Sequence, residues 1–283
     1  MGYYCFSNKR PEKSALSTMF GLLESRGTDA SGFAYLNGNR LVVHKAAERA
    51  SELLKSKEWL RLDIPQMMLF HTRLKTQGSE LNNANNHPLF TKAGLCIVHN
   101  GMIHNDEEIF AKKRRDAEVD SEAILALLSV KKKGDRIKDL FESLDGSFAI
   151  GIIDATQPDN LTLVKKDNPI ELYYDAGNDI LYFCSERSIM QQALGTKYQS
   201  KRGFRLTEGN FFHYQMENNH CLIIGKEGVE LYMKYRPRNR YQNFYEMIEC
   251  PYCLSVTEYN TAKLRNLCEH CGQDINEEDF WYV

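Results

Sequence analysis

Residues 67–78 read MMLFHTRLKTQG, and residues 95–101 read LCIVHNG. Each stretch begins with four consecutive apolar residues, a pattern typical of a strand that is buried on both faces. Each apolar run then passes directly into polar residues. The two stretches therefore predict buried strands, each followed by a polar segment that has the residue types needed for chemistry.

The sequence around these strands mixes helices with hairpins. Apolar residues at helical spacing predict a helix over residues 12–26, and Asn37-Gly38-Asn39 between two apolar runs predicts a hairpin. Further helices are predicted near residues 48–60, 106–115 and 121–131, and short strands at 147–153, 161–165, 171–174, 180–184, 211–214, 221–224 and 229–233. This mixture favours an α+β fold of stacked antiparallel sheets with helices over a doubly wound parallel sheet.

Length and composition exclude several classes of protein. The 283 residues are 42% apolar and 11% aromatic, which allows a large core and excludes wholesale disorder. Thirty-six Lys and Arg nearly balance 38 Asp and Glu, so the net charge of −2 provides no global attraction for nucleic acid or an anionic membrane. Because no stretch approaches the roughly 18 apolar residues of a membrane span, and no secretory signal is recognised, we expect a soluble, cytoplasmic protein without a membrane partner.

Four of the eight cysteines have the spacing of a metal site. Cys250 and Cys253 form one C-x-x-C pair, Cys268 and Cys271 form another, and 14 residues separate the pairs. Two such pairs can surround one tetrahedral Zn²⁺, and four thiolates leave no coordination position open for water. We therefore expect a structural zinc, and we expect the remaining cysteines to be reduced apolar fillers: Cys5, Cys96, Cys184 and Cys221.

A basic segment separates the cysteine pairs from the rest of the chain. Residues 234–241 read KYRPRNRY, which predicts a large domain over residues 1–235, a basic linker over 236–249 and a zinc ribbon over 250–283. From residue 250 onward the net charge is −4, which argues against contact between the ribbon and phosphate groups. Residues 234–241 are the better candidate for binding nucleic acid, and a solvated linker is the alternative.

Six short motifs follow one another in an order that resembles the class II glutamine amidotransferases. These proteins carry a glutaminase domain with an N-terminal nucleophile (Ntn) fold, and the resemblance covers about residues 1–235. It implies a four-layer αββα sandwich of antiparallel sheets. The motifs are RGTDASG at 26–32, HTRLKTQG at 71–78, NHPL at 86–89, HNG at 99–101, VDSE at 119–122 and LDGSFA at 144–149.

The resemblance implies roles for four residues. Arg73 would bind the α-carboxylate of glutamine and Asp120 its α-ammonium group, because these groups need a planar cation and a carboxylate. The side-chain amide of Asn100 and the backbone N–H of Gly101 would form the oxyanion hole. Each residue also has a simpler interpretation: an ordinary ion pair for Arg73, a helix cap for Asp120, and a turn for Asn100-Gly101.

The sequence departs from the family at the nucleophile. Members begin, after loss of the initiator methionine, with Cys followed by Gly, and the free α-amine acts as the base. In this sequence Gly2 is present, but Met1 stands in the place of the cysteine. The domain is then a pseudoenzyme, or the natural protein has a cysteine that this sequence lacks, or residues 1–4 are removed to expose Cys5. The last interpretation would move the thiol about 13 Å along an extended chain, and a packed core thiol is the leading interpretation of Cys5.

Two functions follow from these patterns. The first is a glutaminase that supplies ammonia from L-glutamine to a separate synthetase or modification enzyme, because the motifs of a fused acceptor domain are not recognised. The second is an inactive scaffold that binds a protein or nucleic-acid partner through the zinc ribbon and the basic linker. The four residues with implied roles favour the first function, and Met1 in the place of the nucleophile favours the second.

Overall fold

The structure is a computed structural model that describes residues 1–111, 114–130, 135–195, 205–207, 211–237, 245–260, 266–268 and 270–275. The chain divides into two compact units, Met1–Arg236 and Pro237–Val283.

The first unit contains two antiparallel sheets. The strands in chain order are β1 (Gly2–Cys5), β2 (Ala30–Asn37), β3 (Arg40–Ala46), β4 (Met67–Arg73), β5 (Leu89–Phe90), β6 (Leu95–Ile103), β7 (Gly146–Asp154), β8 (Gln157–Lys166), β9 (Glu171–Asp175), β10 (Ile180–Cys184), β11 (Arg205–Thr207), β12 (Phe211–Gln215), β13 (His220–Gly225) and β14 (Gly228–Lys234). The eight-stranded sheet has the order β11-β12-β9-β10-β1-β4-β2-β3, and the six-stranded sheet has the order β14-β13-β8-β7-β6-β5.

Seven α-helices are described in this unit, in two groups. One group packs on the eight-stranded sheet and the other on the six-stranded sheet. The helices are α1 (Lys13–Leu22), α2 (Ala50–Leu53), α3 (Lys57–Leu60), α4 (Asp106–Phe110), α5 (Ser121–Leu128), α6 (Arg136–Ser143) and α7 (Arg187–Leu194).

Three apolar clusters separate four layers. One cluster lies between the sheets and joins residues such as Leu69 of β4 to Val98 of β6. A second joins the eight-stranded sheet to helices that include α1 and α7, and a third joins the six-stranded sheet to α4, α5 and α6. The predicted four-layer αββα sandwich of antiparallel sheets is confirmed.

The helix predicted over residues 48–60 is divided in the structure. The chain forms α2 and then α3, because Ser56 begins a new helix by accepting a hydrogen bond from the backbone N–H of Trp59 at 3.2 Å. Trp59 is thereby buried against the rings of Phe20, Phe33 and Phe70. The prediction of a single continuous helix was therefore wrong.

Strand β1 lies near the middle of the eight-stranded sheet, between β10 and β4. Gly2 pairs with Phe183 on one side and with Leu69 on the other. A Cβ atom at Gly2 would lie 2.1 Å from the carbonyl oxygen of Met68, so a glycine is needed for the strands to approach this closely. Met1 precedes β1 and pairs with Phe70 of β4: its α-amino group donates to the carbonyl oxygen of Phe70, and the N–H of Phe70 donates to the carbonyl oxygen of Met1.

The second unit is small and strand-rich. Its described strands are β15 (Tyr245–Glu249), β16 (Val256–Asn260), β17 (Asn266–Leu267) and β18 (Asp274–Ile275). They pair in two antiparallel hairpins, β15 with β16 and β17 with β18. The expected linker covered residues 236–249, but residues 245–249 of it are a strand.

Within the described residues, no helix has both the length and the apolar character that crossing a membrane requires.

Candidate functional site

The ends of β4 and β6 frame a cavity of about 230 Å³. Its lining includes Arg73, Asn100, Gly101 and Asp120, the four residues to which the sequence assigns roles. Arg73 is the last residue of β4, Asn100 and Gly101 lie near the end of β6, and Asp120 precedes α5. Residues that are up to 47 positions apart in the sequence therefore face one space of the size of a small molecule.

The guanidinium group of Arg73 is held by neutral oxygen atoms. It donates to Oδ1 of Asn86 at 2.9 Å, to the carbonyl oxygen of Gly78 at 3.0 Å and to the carbonyl oxygen of Gln77. Among the described residues no carboxylate lies within ion-pair distance of it, and only 6% of the residue is exposed. Burial lowers the pKa of Arg73, but arginine stays protonated in proteins. The structure therefore shows a positive charge at the cavity wall that no described acidic side chain neutralises directly.

Asp120 occupies the N-cap position of α5 without capping it. Its side chain accepts no capping hydrogen bond from the helix, and instead its Oδ2 accepts from the backbone N–H of Ile103 at 2.7 Å. The residue is 7% exposed and lines the cavity. The helix-cap interpretation is therefore wrong, because this carboxylate is directed toward β6. A carboxylate here can pair with a cationic group in the cavity.

Asn100 and Gly101 lie in β6, paired with Ala149 and Phe148 of β7, so the turn interpretation is also wrong. Gly101 has a φ of +144°, and a Cβ atom at this residue would lie 2.1 Å from the carbonyl oxygen of Ser147. Only glycine fits this backbone. Nδ2 of Asn100 is buried and has no hydrogen-bond partner among the described residues. An unpaired buried donor of this kind is costly unless a ligand or water accepts from it.

Three histidines, His71, His87 and His99, line the same cavity. His71 donates from Nε2 to the carbonyl oxygen of His99 at 2.9 Å, and the rings of His71 and His87 are 4.3 Å apart. Nδ1 of His99 is 2.8 Å from Oγ of Ser121. Burial lowers the pKa of His71 to about 3 and lowers the pKa values of His87 and His99, so all three rings are neutral at pH 7.

A smaller cavity of about 60 Å³ is lined by Met1 together with Asn100, His71 and Cys184. The α-amino group of Met1 donates to the carbonyl oxygen of Phe70 at 3.1 Å. Burial lowers the pKa of this amine to about 6, because the charged form loses its hydration, so the neutral amine predominates at pH 7. The amine is therefore in the protonation state that a general base requires.

With residues 1–4 in place, Cys5 is not positioned as a nucleophile. Cys5 is the last residue of β1, fully buried in the core that packs against α1, and it lines neither cavity. Burial raises the pKa of its thiol to about 12, which keeps the thiol protonated. Sequence reasoning missed a nearer thiol: Cys184 lines the smaller cavity, because β10 places it next to the Gly2–Phe183 pair.

The four cysteines of the second unit converge. Their sulfur atoms all lie within 4.8 Å of one another, with Cys250 and Cys271 3.8 Å apart and Cys253 and Cys268 3.7 Å apart. A tetrahedron of thiolates with Zn–S bonds of about 2.3 Å has edges of about 3.8 Å. The sulfur positions therefore fit a bound metal and are too far apart for disulfide bonds.

Both cysteine pairs lie in the same type of backbone loop. In the first, the N–H of Leu254 donates to the carbonyl oxygen of Cys250 at 2.8 Å, and Leu254 has a φ of +59°. In the second, the N–H of Gly272 donates to the carbonyl oxygen of Cys268 at 2.8 Å, and Gly272 has a φ of +70°. The repeated loop geometry directs two thiols from each pair toward one point.

The basic segment 234–241 is described only in part. Tyr235, which was a candidate for stacking on bases, is buried: its ring stacks on Phe141 at 5.1 Å and its hydroxyl donates to Asp135 at 2.6 Å. Arg236 is exposed. Residues 238–244, which include Arg238, Arg240 and Tyr241, lie outside the described residues. Because Tyr235 is buried, its ring is not accessible for contact with nucleic acid.

Comparison with known proteins gives a family match over the part of the chain that forms the larger cavity. A family model described as a glutamine amidotransferase domain matches residues 71–192. A glutamine–fructose-6-phosphate aminotransferase (isomerizing) of Clostridium perfringens is 34% identical over 160 residues, which are 52% of this chain and 25% of that protein. The protein of the same description from Clostridium acetobutylicum is 27% identical over 256 residues, 82% of this chain and 41% of that protein.

A solved structure supports the same fold. Glutamine phosphoribosylpyrophosphate amidotransferase from B. subtilis superimposes with a TM-score of 0.62 at 19% identity, over 82% of this chain and 48% of that one. The chain thus spans from a quarter to two fifths of the length of the two relatives named above.

Proposed function

We propose that this chain carries a class II glutamine amidotransferase domain that binds L-glutamine in its larger cavity and that, once a cysteine stands in the place of Met1, hydrolyses the side-chain amide to glutamate and ammonia. One observation carries the proposal: Arg73, Asn100, Gly101 and Asp120, each with a role implied by the family, line a single cavity of about 230 Å³.

The amino-acid head group accounts for the two charged residues. The α-carboxylate pairs with the guanidinium of Arg73, whose charge is not neutralised by any described carboxylate, and the α-ammonium pairs with Asp120. Both groups are mostly buried, so their interaction with a ligand is weakly screened by water. This arrangement selects α-amino acids over simple carboxylic acids or amines.

The amide then lies near Asn100 and Gly101. A thiol in the place of Met1 transfers its proton to the α-amine and attacks the side-chain carbonyl carbon. The N–H groups of Asn100 and Gly101 stabilise the negative oxygen of the tetrahedral intermediate. Cleavage of the C–N bond, with the proton passing from the amine to the leaving nitrogen, releases ammonia and leaves a thioester. Water hydrolyses the thioester to glutamate and the free thiol.

In this proposal a separate enzyme accepts the ammonia. The ribbon holds one structural Zn²⁺ through Cys250, Cys253, Cys268 and Cys271, whose geometry fits the metal. Four thiolates leave no position for substrate, so the zinc supplies fold stability and takes no part in glutamine hydrolysis.

A second candidate function is a glutamine-binding scaffold without hydrolysis. The observation that favours it is Met1 beside Asn100, where the mechanism needs a thiol. Such a protein would bind glutamine through Arg73 and Asp120 and present the ribbon or the basic linker to a protein or nucleic-acid partner. The two candidates agree on binding and differ only in the chemical step.

Glutamate release by three forms of the full chain separates the candidates. The first form keeps its present N-terminus. The second has a cysteine inserted between Met1 and Gly2, so that removal of the initiator exposes Cys-Gly, and the third has alanine inserted there as the matched control. We expect release by the cysteine form alone, with a rate that declines as the pH falls through about 6, where the amine becomes protonated.

Equal background release by the cysteine and alanine forms would overturn the glutaminase proposal. If the first form binds glutamine without releasing glutamate, the scaffold function describes the chain as it stands. Release by the first form that disappears in a Cys184→Ala variant would identify the thiol of the smaller cavity as the source of activity.

A further inference from the structure

We infer that Asn86 is a positioning residue for the α-carboxylate subsite, where it orients the guanidinium of Arg73 without neutralising its charge. The inference deepens the proposed function and rests on it. Its basis is a set of contacts that connects β3, the loop after β4 and the cavity.

Asn86 is fully buried, and both its side-chain amide and its backbone carbonyl group form hydrogen bonds. Its Oδ1 accepts from Arg73 at 2.9 Å, and its Nδ2 donates to the carbonyl oxygen of Glu80 at 2.7 Å and to Oδ1 of Asn83 at 3.2 Å. Its own carbonyl oxygen accepts from Nζ of Lys45 at 2.6 Å. With both ends of the amide bonded, the side chain has one orientation, in which the oxygen faces the arginine.

The chemistry of the acceptors matters as much as their position. Arg73 donates to Asn86 and to the carbonyl oxygens of Gln77 and Gly78, all of which are uncharged. Neutral acceptors fix the direction of the guanidinium while its full charge remains for an anionic ligand. A carboxylate in place of the Asn86 amide would form a permanent ion pair and compete with the α-carboxylate of the ligand.

Lys45 connects this arrangement to the edge of the eight-stranded sheet. It lies on β3, with its ammonium group 5.4 Å from the centre of the Phe90 ring. Nδ2 of Asn83 donates to the carbonyl oxygen of Lys45 at 3.0 Å, so two bonds attach the loop to this strand. The position of Arg73 is therefore set by a strand that does not itself line the cavity.

The orientation of the Arg73 guanidinium should have a measurable effect on ligand affinity. The N–H groups of Arg73 that do not bond to Asn86, Gln77 or Gly78 remain for a carboxylate, and a rotation of the guanidinium would change their direction. Loss of Asn86 should therefore weaken binding of ligands that carry an α-carboxylate. Ligands without this group should be affected much less.

Asn85 offers a matched control in the same loop. It is also a fully buried asparagine. It forms hydrogen bonds with Ser79 and Glu118 and, within the described residues, none with Arg73. Replacement of Asn85 by alanine removes a buried amide of the same size. Any general loosening of the loop should thus appear in both variants.

The test measures the affinity of the full zinc-loaded chain and of the Asn86→Ala, Asn86→Asp and Asn85→Ala variants for two ligands. The ligands are L-glutamine, by calorimetry, and L-glutamine with its α-carboxylate converted to a carboxamide, by competition against L-glutamine. We expect Asn86→Ala to weaken L-glutamine binding by about tenfold, the equivalent of one buried hydrogen bond. Asn86→Asp should weaken it further, and neither should change the affinity for the carboxamide comparably.

Each outcome has a defined meaning. Failure of the unsubstituted chain to bind L-glutamine would overturn the proposed function itself. If that chain binds and Asn86→Ala binds equally well, or if Asn85→Ala has the same effect as Asn86→Ala, the inference about Asn86 is wrong. Equal losses for both ligands would also contradict it, because they would indicate a merely structural role.

Discussion

The two units of the chain obtain their stability in different ways. The sandwich has three apolar clusters, and its polar cavity lies at the ends of strands that those clusters hold in place. In the second unit the described core consists of Cys250, Cys268 and Ile275, with Cys253 packed against them. Three of the four residues that would bind the metal therefore belong to this core.

This difference determines how each unit should respond to substitution. In the sandwich, stability and ligand binding depend mainly on different side chains, so one can be changed without losing the other. In the ribbon, the four thiols serve both purposes, because a small unit cannot bury enough apolar surface to fold without metal.

Removal of zinc should produce the largest effect. We expect one Zn²⁺ per chain, and its loss by chelation or in the Cys250→Ser, Cys253→Ser double variant should unfold the second unit completely. Structural zinc contributes about 10–16 kcal/mol of apparent folding free energy in small domains. Hydrogen exchange should show loss of protection after about residue 245, with unchanged protection in the sandwich.

A Cys5→Ala variant is the control for zinc content, because Cys5 is a core thiol of the first unit and should not affect the metal. Freshly purified protein without zinc, or full zinc content in the double variant, would contradict the assignment. Equal melting of both units on chelation would contradict the claim that only the second unit depends on zinc for its stability.

Substitution in the core of the sandwich should have the opposite effect: it should destabilise the first unit and leave the zinc content of the second unchanged. Phe20 is fully buried and lies 5.3 Å from Phe70 and 5.9 Å from Trp59, measured between ring centres. Phe20→Ala should destabilise the first unit by about 3–5 kcal/mol, the usual cost of a large aromatic cavity. Denaturant unfolding measures this change, and elemental analysis should find the zinc content unchanged.

Leu60→Ala removes an exposed side chain from the same group of helices and should change stability by less than about 0.5 kcal/mol. Loss of zinc in the Phe20→Ala protein would show that the ribbon depends on the sandwich, contrary to our account.

Removal of a charge from the cavity should change binding more than stability. Asp120→Asn keeps an oxygen that can accept from Ile103 and removes the charge that would pair with the α-ammonium group. We expect glutamine affinity to fall by about 1.5–3 kcal/mol, the range for hydrogen bonds to charged groups. Calorimetry measures the affinity, and thermal unfolding without ligand should change little.

Asp106→Asn provides the comparison, because Asp106 pairs with Arg115 at 2.8 Å and does not line the cavity. This variant should lose stability and keep its affinity. Unaltered glutamine binding in Asp120→Asn would remove the ammonium-binding role.

The smallest predicted effect concerns the two cysteine loops. Leu254 has a φ of +59°, which is unfavourable for a residue with a side chain, and it is 71% exposed. Leu254→Gly should therefore strengthen zinc retention by about 1 kcal/mol, measured by competition with a chelator. The reciprocal change, Gly272→Ala at the equivalent position of the other loop, should weaken it by a similar amount. Weaker retention in Leu254→Gly would mean that the leucine side chain contributes more than its backbone strain costs.

The sequence predicted the elements whose patterns are local. Apolar runs at 67–70 and 95–98 indicated buried strands, and both lie in strands of the sandwich. The helix α6 was not predicted, although Ile137, Leu140, Phe141 and Leu144 recur at helical spacing. The helix α7 was not predicted either, although Ile189, Met190, Ala193 and Leu194 show the same periodicity.

Only the site residues that belong to a recognisable motif could be predicted from the sequence. The four cavity residues were identified from motifs, but the surroundings that give them their properties come from distant parts of the chain. Asn86 depends on Lys45 of β3, and Cys184 approaches Met1 through pairing between β10 and β1. Such contacts depend on strand order and register, which no local pattern in one sequence specifies.

The most direct test of the central claim is calorimetric titration of the full zinc-loaded chain and of two arginine variants with L-glutamine. Arg73→Ala removes the guanidinium that faces the cavity, whereas Arg115→Ala removes one that pairs with Asp106 and Glu122 outside it. We predict one glutamine per chain, a loss of about 2–5 kcal/mol of binding free energy in Arg73→Ala, and unchanged affinity in Arg115→Ala. Glutamine binding that survives Arg73→Ala, or no binding by the unsubstituted chain, would contradict the account.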